Sequence, residues 1–182
     1  MNKLFMMFVV LTIMVSCNNE KKETADTQKT DVQTTTTSTV SLPYKANYSS
    51  QFNDKVSDSD LLTVLNSYKY WETGDLTSLS KIMGDSVYVN MANGMTFKGT
   101  KDSLMGIWKK QRDSLSAVSI SVDAWVKSHS IDKNENYVEV WCKEIDTYKS
   151  GKVDSANYAD LNQVKNGKIT WYSSYRQPLM KK

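Results

Sequence analysis

The sequence predicts an α+β fold, in which helices and antiparallel strands occupy separate parts of the chain. Apolar residues recur at helical spacing up to about residue 115 and then alternate with polar residues, so the hydrophobic period changes from 3.6 to 2. Helix-capping residues precede the periodic segments of the first part. Tight-turn signals separate the segments of the second part, which indicates a meander of strands with the helices on one of its faces.

Three helices are predicted between residues 57 and 115. Each follows a residue whose side chain can accept a hydrogen bond from the first turn, and these caps are Ser57, Asp75 and Thr100. Gly74 ends the first helix, and Gly84-Asp85 breaks the second. The apolar residues expected to face inward are Leu61, Val64, Leu65, Tyr68 and Trp71, then Leu76, Leu79 and Ile82, and then Leu104, Ile107, Trp108 and Leu115.

The predicted strands are joined by tight turns. Asn93-Gly94 indicates a hairpin of two short strands, residues 87–91 and 95–97, between the second and third helices. Four longer strands follow at residues 118–126, 137–146, 154–165 and 169–176, and Asn166-Gly167 joins the last two. Pro178 ends the sheet. Residues 44–55 are aromatic but without a period, so they predict only an ordered lead-in.

The N-terminal residues predict a targeting signal and a lipid anchor. Lys3 is followed by an apolar run at residues 4–14, which is shorter than the roughly 20 residues that a membrane-spanning helix needs. The run ends in Met14-Val15-Ser16-Cys17, which resembles the lipobox of bacterial lipoproteins. The resemblance implies a signal peptide at residues 1–16 and a lipidated Cys17. The alternative is an ordinary secretory signal in which Cys17 is incidental.

A disordered, threonine-rich tether is expected at residues 17–43. This segment has almost no apolar residues, so it cannot bury enough surface to offset the entropy lost on ordering.

The lipid predicted on Cys17 determines the expected location. Two or more acyl chains anchor a protein stably, so we expect it at a membrane of the bacterial cell envelope. Asn18-Asn19 lack the aspartate that retains enterobacterial lipoproteins in the inner membrane, which favours the outer membrane. For the threonine-rich segment itself, the alternative to a plain tether is a recognition or glycosylation tract.

The composition argues against several classes of function. The 182 residues include 23 basic and 20 acidic side chains, so no basic excess predicts a nucleic-acid partner. Two cysteines cannot build a cysteine-based zinc cluster, and the single histidine, His129, cannot build a multi-histidine metal site. We therefore expect no metal and no cofactor. His129 is expected at the surface, and Cys142 as a small buried apolar residue.

Four motifs stand in order along the domain. They are Tyr-x-x-Trp-Glu-Thr-Gly-Asp-Leu at 68–76, Gly-Asp-Ser-Val-Tyr-Val at 84–89, Phe-Lys-Gly-Thr-Lys-Asp-Ser-Leu at 97–104 and Val-Lys-Asn-Gly-Lys-Ile at 164–169. Together they resemble the nuclear transport factor 2-like superfamily, in its SnoaL-like, polyketide-cyclase-like branch. The resemblance implies a cone-shaped domain at residues 44–182, in which a strongly curved antiparallel sheet wraps about three helices around a pocket. It also implies a homodimer through the outer sheet face.

The superfamily includes enzymes, but their catalytic positions carry over poorly. Its steroid isomerases have an aspartate base where this chain has Asn90-Met91, and neither residue can take a proton at neutral pH. The position of the oxyanion-hole tyrosine in those isomerases corresponds to a residue close to Ser67 in this chain, and Tyr68 is the next residue. The dehydratase type needs a His/Asp pair, for which His129 is the one histidine present.

The third long strand carries the candidate site. Tyr158, Asp160, Asn162 and Val164 share one face by the period of two. In the family the position of Val164 tends to face the concave side, which would place Asp160 and Asn162 inside the cone. The candidate ligand-binding residues are Tyr68, Trp141, Tyr158, Asn162 and Trp171. In the alternative register, Ala159 and Leu161 face inward and Asp160 and Asn162 lie in water.

Two functions remain open from the sequence. The first is a membrane-tethered, non-catalytic module that binds a small apolar or amphipathic ligand, or a protein partner. The second is a cyclase, isomerase or hydrolase with Asp160 as general base, assisted by Tyr158 or His129, because desolvation in an aromatic pocket would raise the pKa of that carboxyl. The first is favoured because the aligned base position holds no acid.

Overall fold

A curved seven-stranded sheet with three helices on its inner face makes up the described part of the chain. The computed structural model describes residues 43–179, of which residues 44–179 belong to one compact unit. The helices are α1 (Asp58–Thr73), α2 (Leu76–Ile82) and α3 (Lys101–Asp113). The strands are β1 (Phe52–Asn53), β2 (Met83–Asn90), β3 (Thr96–Thr100), β4 (Leu115–Ser130), β5 (Glu135–Tyr148), β6 (Val153–Lys165) and β7 (Lys168–Pro178). The predicted α+β class, with about three helices, is confirmed.

The predicted N-terminal features lie outside the described residues. These are the signal peptide at 1–16, the lipidated Cys17 and all but the last residue of the tether at 17–43. Between residues 43 and 179, no helix is long and apolar enough to cross a membrane. The same range contains no group of three or more His, Cys, Asp or Glu side chains arranged to hold a metal ion.

The strands follow the order β1-β4-β5-β6-β7-β2-β3 across the sheet. Neighbouring strands are antiparallel except β2 and β7, which run parallel. The parallel pair departs from the predicted all-antiparallel sheet. It arises because the chain leaves β3 through α3, starts the long meander at β4, and returns to β2 only with its last strand. Register shifts within β4 and near the end of β6 add bends to the sheet.

The predicted caps and turns form as expected. The side chains of Ser57, Asp75 and Thr100 each accept a hydrogen bond from a backbone N–H three residues later. Gly74 follows α1 with a φ of 77°, in the left-handed region. Asn166 and Gly167 have φ values of 52° and 70°, the pair of positive angles that a type I′ hairpin turn requires. Strand β1, only two residues long, was not predicted from the sequence.

One apolar core joins the helices to the sheet. Each helix contributes one buried aliphatic residue, and these are Val64, Leu79 and Leu104. They belong to the same cluster as inward-facing residues of the later strands, namely Val138, Val140, Cys142, Val164 and Ile169. Cys142 is 2% exposed, so the prediction of a small buried residue is confirmed, and burial raises the pKa of its thiol to about 12. Ile107, expected inside, is 41% exposed because it lies at the edge of the α3 stripe.

Polar contacts fix the last turn of α1. Arg112 on α3 donates from Nε and Nη2 to the carbonyl oxygens of Trp71 and Glu72, each at 3.1 Å. The Trp71 carbonyl also accepts a hydrogen bond from the backbone N–H of Gly74 at 3.1 Å, so the guanidinium adds a second partner at the end of α1. The Glu72 carboxylate accepts a hydrogen bond at 3.1 Å from the backbone N–H of Ile120 on β4. The turn that carries the Trp71 side chain is therefore held from two sides.

Candidate functional site

A cavity of about 480 Å³ lies between the helices and the inner face of the sheet. Its volume falls within the range of typical small-molecule sites. Helix α1 contributes Ser67, Tyr68 and Trp71, and α3 contributes Trp108. The remaining walls come mainly from the inner faces of β5, β6 and β7. Met91, one of the two residues expected at the position of the isomerase base, also lines the cavity.

Strand β6 presents the predicted polar face to this cavity. Tyr158, Asp160 and Asn162 all line it, and the register inferred from the sequence is correct. The alternative register is wrong, because Ala159 and Leu161 alternate with these residues and lie on the outer face. Tyr68, the candidate from the first helix, also lines the cavity. Whether these side chains bind a ligand stays a prediction.

The two predicted tryptophans lie on the opposite face of the sheet. Neither Trp141 nor Trp171 lines the cavity. On β5 the buried Val140 faces the core, so alternation turns the next residue, Trp141, outward. On β7 it is Tyr172 that faces the cavity, and Trp171 meets Tyr137 with ring centroids 6.4 Å apart. The prediction that Trp141 and Trp171 belong to the ligand-binding residues was wrong, because the sequence did not reveal how β5 and β7 pair with β6.

Asp160 is held by one hydrogen bond and is otherwise desolvated. The Tyr68 hydroxyl donates to its Oδ2 at 2.9 Å. Its Oδ1 is buried and has no partner at hydrogen-bond distance, although the Ser174 hydroxyl is near enough to affect the carboxyl. Burial raises the pKa of Asp160 to about 6, while the hydroxyls of Ser174, which lies opposite on β7, and of Tyr68 oppose the rise. The carboxyl therefore titrates close to neutral pH.

Two further carboxyls on β5 line the cavity, and neither was predicted from the sequence. Glu144 accepts a hydrogen bond from the Trp71 indole at 3.4 Å. Asp146 is 8% exposed, and its Oδ1 has no partner. Burial raises the pKa of Glu144 well above its usual range, and the charge of Asp146 adds to the rise. Burial also raises the pKa of Asp146, while a hydrogen bond from Glu144 opposes that rise. Two like charges this close resist ionising together.

A sequence signal for these carboxyls was present. Residues 138, 140 and 142 form the apolar inner face of β5, and the period of two continues without a break to Glu144 and Asp146. Both acids therefore had to face the same side as the core. Because charged side chains are usually exposed, the inward position of Glu144 and Asp146 was not predicted.

Three aromatic rings form another part of the wall. The Trp108 ring lies 6.4 Å from that of Trp71 and 5.9 Å from that of Tyr172, measured between centroids. The contacts are edge-on or tilted, as aromatic side chains prefer. Because the Trp71 indole also donates to Glu144, the aromatic cluster is continuous with the carboxyls.

Arg176 is the basic residue that lines the cavity, and its guanidinium already has two partners. Arg176 donates from Nη2 to Asp154 at 2.8 Å and from Nε to the Tyr158 hydroxyl at 3.2 Å. His129 does not line the cavity, and its Nδ1 lies 2.7 Å from Oδ1 of Asn136. It is therefore not placed to assist Asp160.

Several solved structures have a similar fold, and the proteins they come from differ in kind. An LEH-like epoxide hydrolase of M. tuberculosis matches with a TM-score of 0.57 and 9% identity, over 66% of this chain and 84% of that one. An NTF2-like protein from Anabaena variabilis matches with a TM-score of 0.54 and 17% identity, over 68% and 92%. The described domain has the nuclear transport factor 2-like fold.

A third solved structure with this fold holds a small molecule. It is a hypothetical protein of ketosteroid isomerase-like fold from Catenulispora acidiphila, in complex with trimethylamine, which matches with a TM-score of 0.51 and 15% identity, over 62% and 83%. No family model matches the chain, and no curated protein matches it significantly. Identities this low concern the fold alone, so the function has to be argued from the residues of the site.

Proposed function

We propose that this protein is a lipid-anchored component of the bacterial cell envelope whose domain binds a small molecule in the cavity. The binding part rests on one observation. Two carboxylate oxygens, Oδ1 of Asp146 and Oδ1 of Asp160, are buried at the cavity wall without a hydrogen-bond donor. A buried acceptor without a partner costs about 1–3 kcal/mol, and more when charged. A ligand that donates to these atoms would offset that cost.

The other walls suit an amphipathic ligand. Trp71, Trp108 and Tyr172 offer apolar ring surface, while Tyr68 and Tyr158 add hydroxyl groups. Small-molecule sites commonly combine mostly apolar walls with a few placed polar groups. The trimethylamine complex of the C. acidiphila protein supports the use of this fold for small-molecule binding.

The anchoring part rests on the N-terminal sequence. The apolar run at residues 4–14, followed by Ser16-Cys17, supports cleavage before Cys17 and lipidation of its thiol. The residues after Cys17 support an outer-membrane location. A homodimer through the outer sheet face is a further part of the proposal, supported by Tyr88 and Tyr175, which are 41% and 67% exposed on that face.

The second candidate is an enzyme of cyclase, isomerase or hydrolase type with Asp160 as general base. It is favoured by the pKa of about 6 that burial gives Asp160, together with the raised pKa of Glu144. One carboxyl could then accept a proton while the other donates one. In this case Asp160→Asn would abolish turnover and leave the ligand bound.

Native mass spectrometry of the full chain, as purified, tests the binding proposal. We expect a non-covalent adduct of small mass on the wild type. Ala92→Trp would place an indole in the cavity and should remove the adduct, whereas Leu62→Trp adds the same side chain at an exposed position of α1 and should keep it. An adduct that survives Ala92→Trp would place the ligand elsewhere and contradict the proposal.

A further inference from the structure

We infer that the cavity selects a protonated amine, that is, an ammonium group with at least one N–H on an apolar body. This inference rests on the proposed small-molecule function and narrows its ligand class. The acidic lining is the starting point. Four carboxyls line the cavity, from Glu144, Asp146, Asp154 and Asp160, against one guanidinium, that of Arg176.

Arg112 and Arg176 lower the pKa of Asp146 through their charge, but neither forms a salt bridge with Glu144, Asp146 or Asp160. Arg176 is committed to Asp154, at 2.8 Å. Arg112, which lowers the pKa of Asp146 through its charge, donates to two backbone carbonyls of α1. The salt bridges among residues 43–179 include none with Glu144, Asp146 or Asp160. Desolvated carboxylates without a counter-charge are strongly unfavourable, so a cationic ligand is the complementary occupant.

The unpartnered oxygens specify the kind of cation. Oδ1 of Asp146 and Oδ1 of Asp160 each lack a donor. A neutral alcohol could donate one hydrogen bond but would leave the charge uncompensated. A quaternary ammonium would supply charge without any N–H. A protonated primary amine supplies both, and charge-assisted hydrogen bonds are the stronger kind.

The aromatic wall specifies the rest of the ligand. Trp71 connects the two regions, because its indole N–H donates to Glu144 while its ring packs against Trp108. Tyr172 extends the wall on the other side of Trp108. Ring faces attract cations and also bury apolar groups. An ammonium beside the carboxyls would therefore carry its apolar part along these rings.

Binding should be coupled to proton release. Burial raises the pKa of Asp160 to about 6 and also raises the pKa values of Glu144 and Asp146. A bound cation favours the ionised carboxyls, so affinity should rise with pH until the amine itself loses its proton. The other titratable or charged groups around this trio are Tyr68, Arg112, Cys142, Tyr148, Asp154, Tyr158, Tyr172 and Arg176.

An NMR titration of the full chain tests the inference through its five tryptophan indoles. Trp71 and Trp108 line the cavity, while Trp125, Trp141 and Trp171 do not and serve as internal controls. The probes are 2-phenylethylamine, its neutral analogue 2-phenylethanol, and the trimethylated quaternary form. The amine should shift the Trp71 and Trp108 signals and bind about tenfold more tightly than either analogue. Its affinity should rise between about pH 5 and about pH 8.

Three variants complete the test. Asp160→Asn and Glu144→Gln should each weaken amine binding about tenfold and leave the alcohol unaffected. Glu139→Gln removes a carboxyl from the outer face of β5 and should change nothing. Equal binding of amine and alcohol in the cavity would overturn the amine inference and leave the proposed function standing. No shift at Trp71 and Trp108 with any probe would overturn the inference, while the adduct measurement decides the proposed function separately.

Discussion

Asp160→Asn is expected to stabilise the unliganded protein at neutral pH. Burial raises the pKa of this carboxyl from 3.8 to about 6, so its ionised form is less favourable in the folded than in the unfolded chain. The difference corresponds to about 3 kcal/mol, from 1.36 kcal/mol for each pKa unit. Asparagine keeps the shape, lacks the charge, and can still accept the hydrogen bond from Tyr68. We expect a gain of about 2–3 kcal/mol near neutral pH.

The gain should depend on pH in one direction. Because the folded pKa lies above the unfolded value, the folded wild type binds the proton more tightly. This contribution is fully present below about pH 4 and is lost as the pH rises through about 6. The variant has no such proton. The difference between variant and wild type should therefore be small near pH 4 and reach its full size above about pH 7.

Urea unfolding followed by tryptophan fluorescence, repeated across this pH range, measures the effect. Glu139→Gln, on the outer face, should not reproduce the pH dependence. A gain that is the same at every pH, or a loss of stability that grows with pH, would show that the Asp160 carboxylate is compensated in the folded protein. The same variant should bind amines less well, so the prediction combines higher stability with weaker binding.

Three further predictions concern the turn, the site and the anchor. Gly167→Val should lower the free energy of unfolding by more than about 1 kcal/mol, because the φ of 70° strains a branched side chain. Gly106→Ala, a control in open space on α3, should raise the free energy of unfolding. An unchanged urea midpoint for Gly167→Val would refute the turn assignment. Tyr68→Phe should raise the pKa of Asp160 further, and a carboxyl ¹³C titration that does not move would contradict the role of that hydrogen bond. Cys17→Ser should leave an uncleaved or soluble precursor; unchanged partitioning into detergent would exclude lipidation at this residue.

The local structure of this domain was predictable because it depends on nearby residues. Ser57 and Thr100 cap their helices through hydrogen bonds that span three residues. The positive φ of Gly74 and Gly167 follows from the absence of a Cβ at positions where the chain must turn. None of these features requires knowledge of the tertiary fold.

The candidate site was only half predictable, because it depends on how separate strands align. The inward-facing residues of β6 were predicted correctly, because the family resemblance indicated that Val164 faces the concave side. The resemblance gave no such position on β5 or β7, and Trp141 and Trp171 were wrongly expected at the site, although the apolar residues 138, 140 and 142 turn Trp141 outward. The parallel pairing of β2 with β7 is also a long-range contact that no local pattern indicates.

Glu144 and Asp146 illustrate a different difficulty. Carboxyls at inward positions violate the expectation that charged residues are exposed, and such local conflicts concentrate at functional sites. Once the inner face of β5 is known from its apolar residues, both acids must lie at the cavity. A continued strand period that ends in buried acids is therefore a useful signal of a site.

A crystal structure of the protein grown with 2-phenylethylamine tests the central claim most directly, since it shows what occupies the cavity. The account predicts electron density for the amine in the cavity, with its nitrogen within hydrogen-bond distance of Oδ1 of Asp146 or Asp160 and its ring against Trp108. Water alone in an open cavity, with the amine absent or bound at the surface, would contradict the claim.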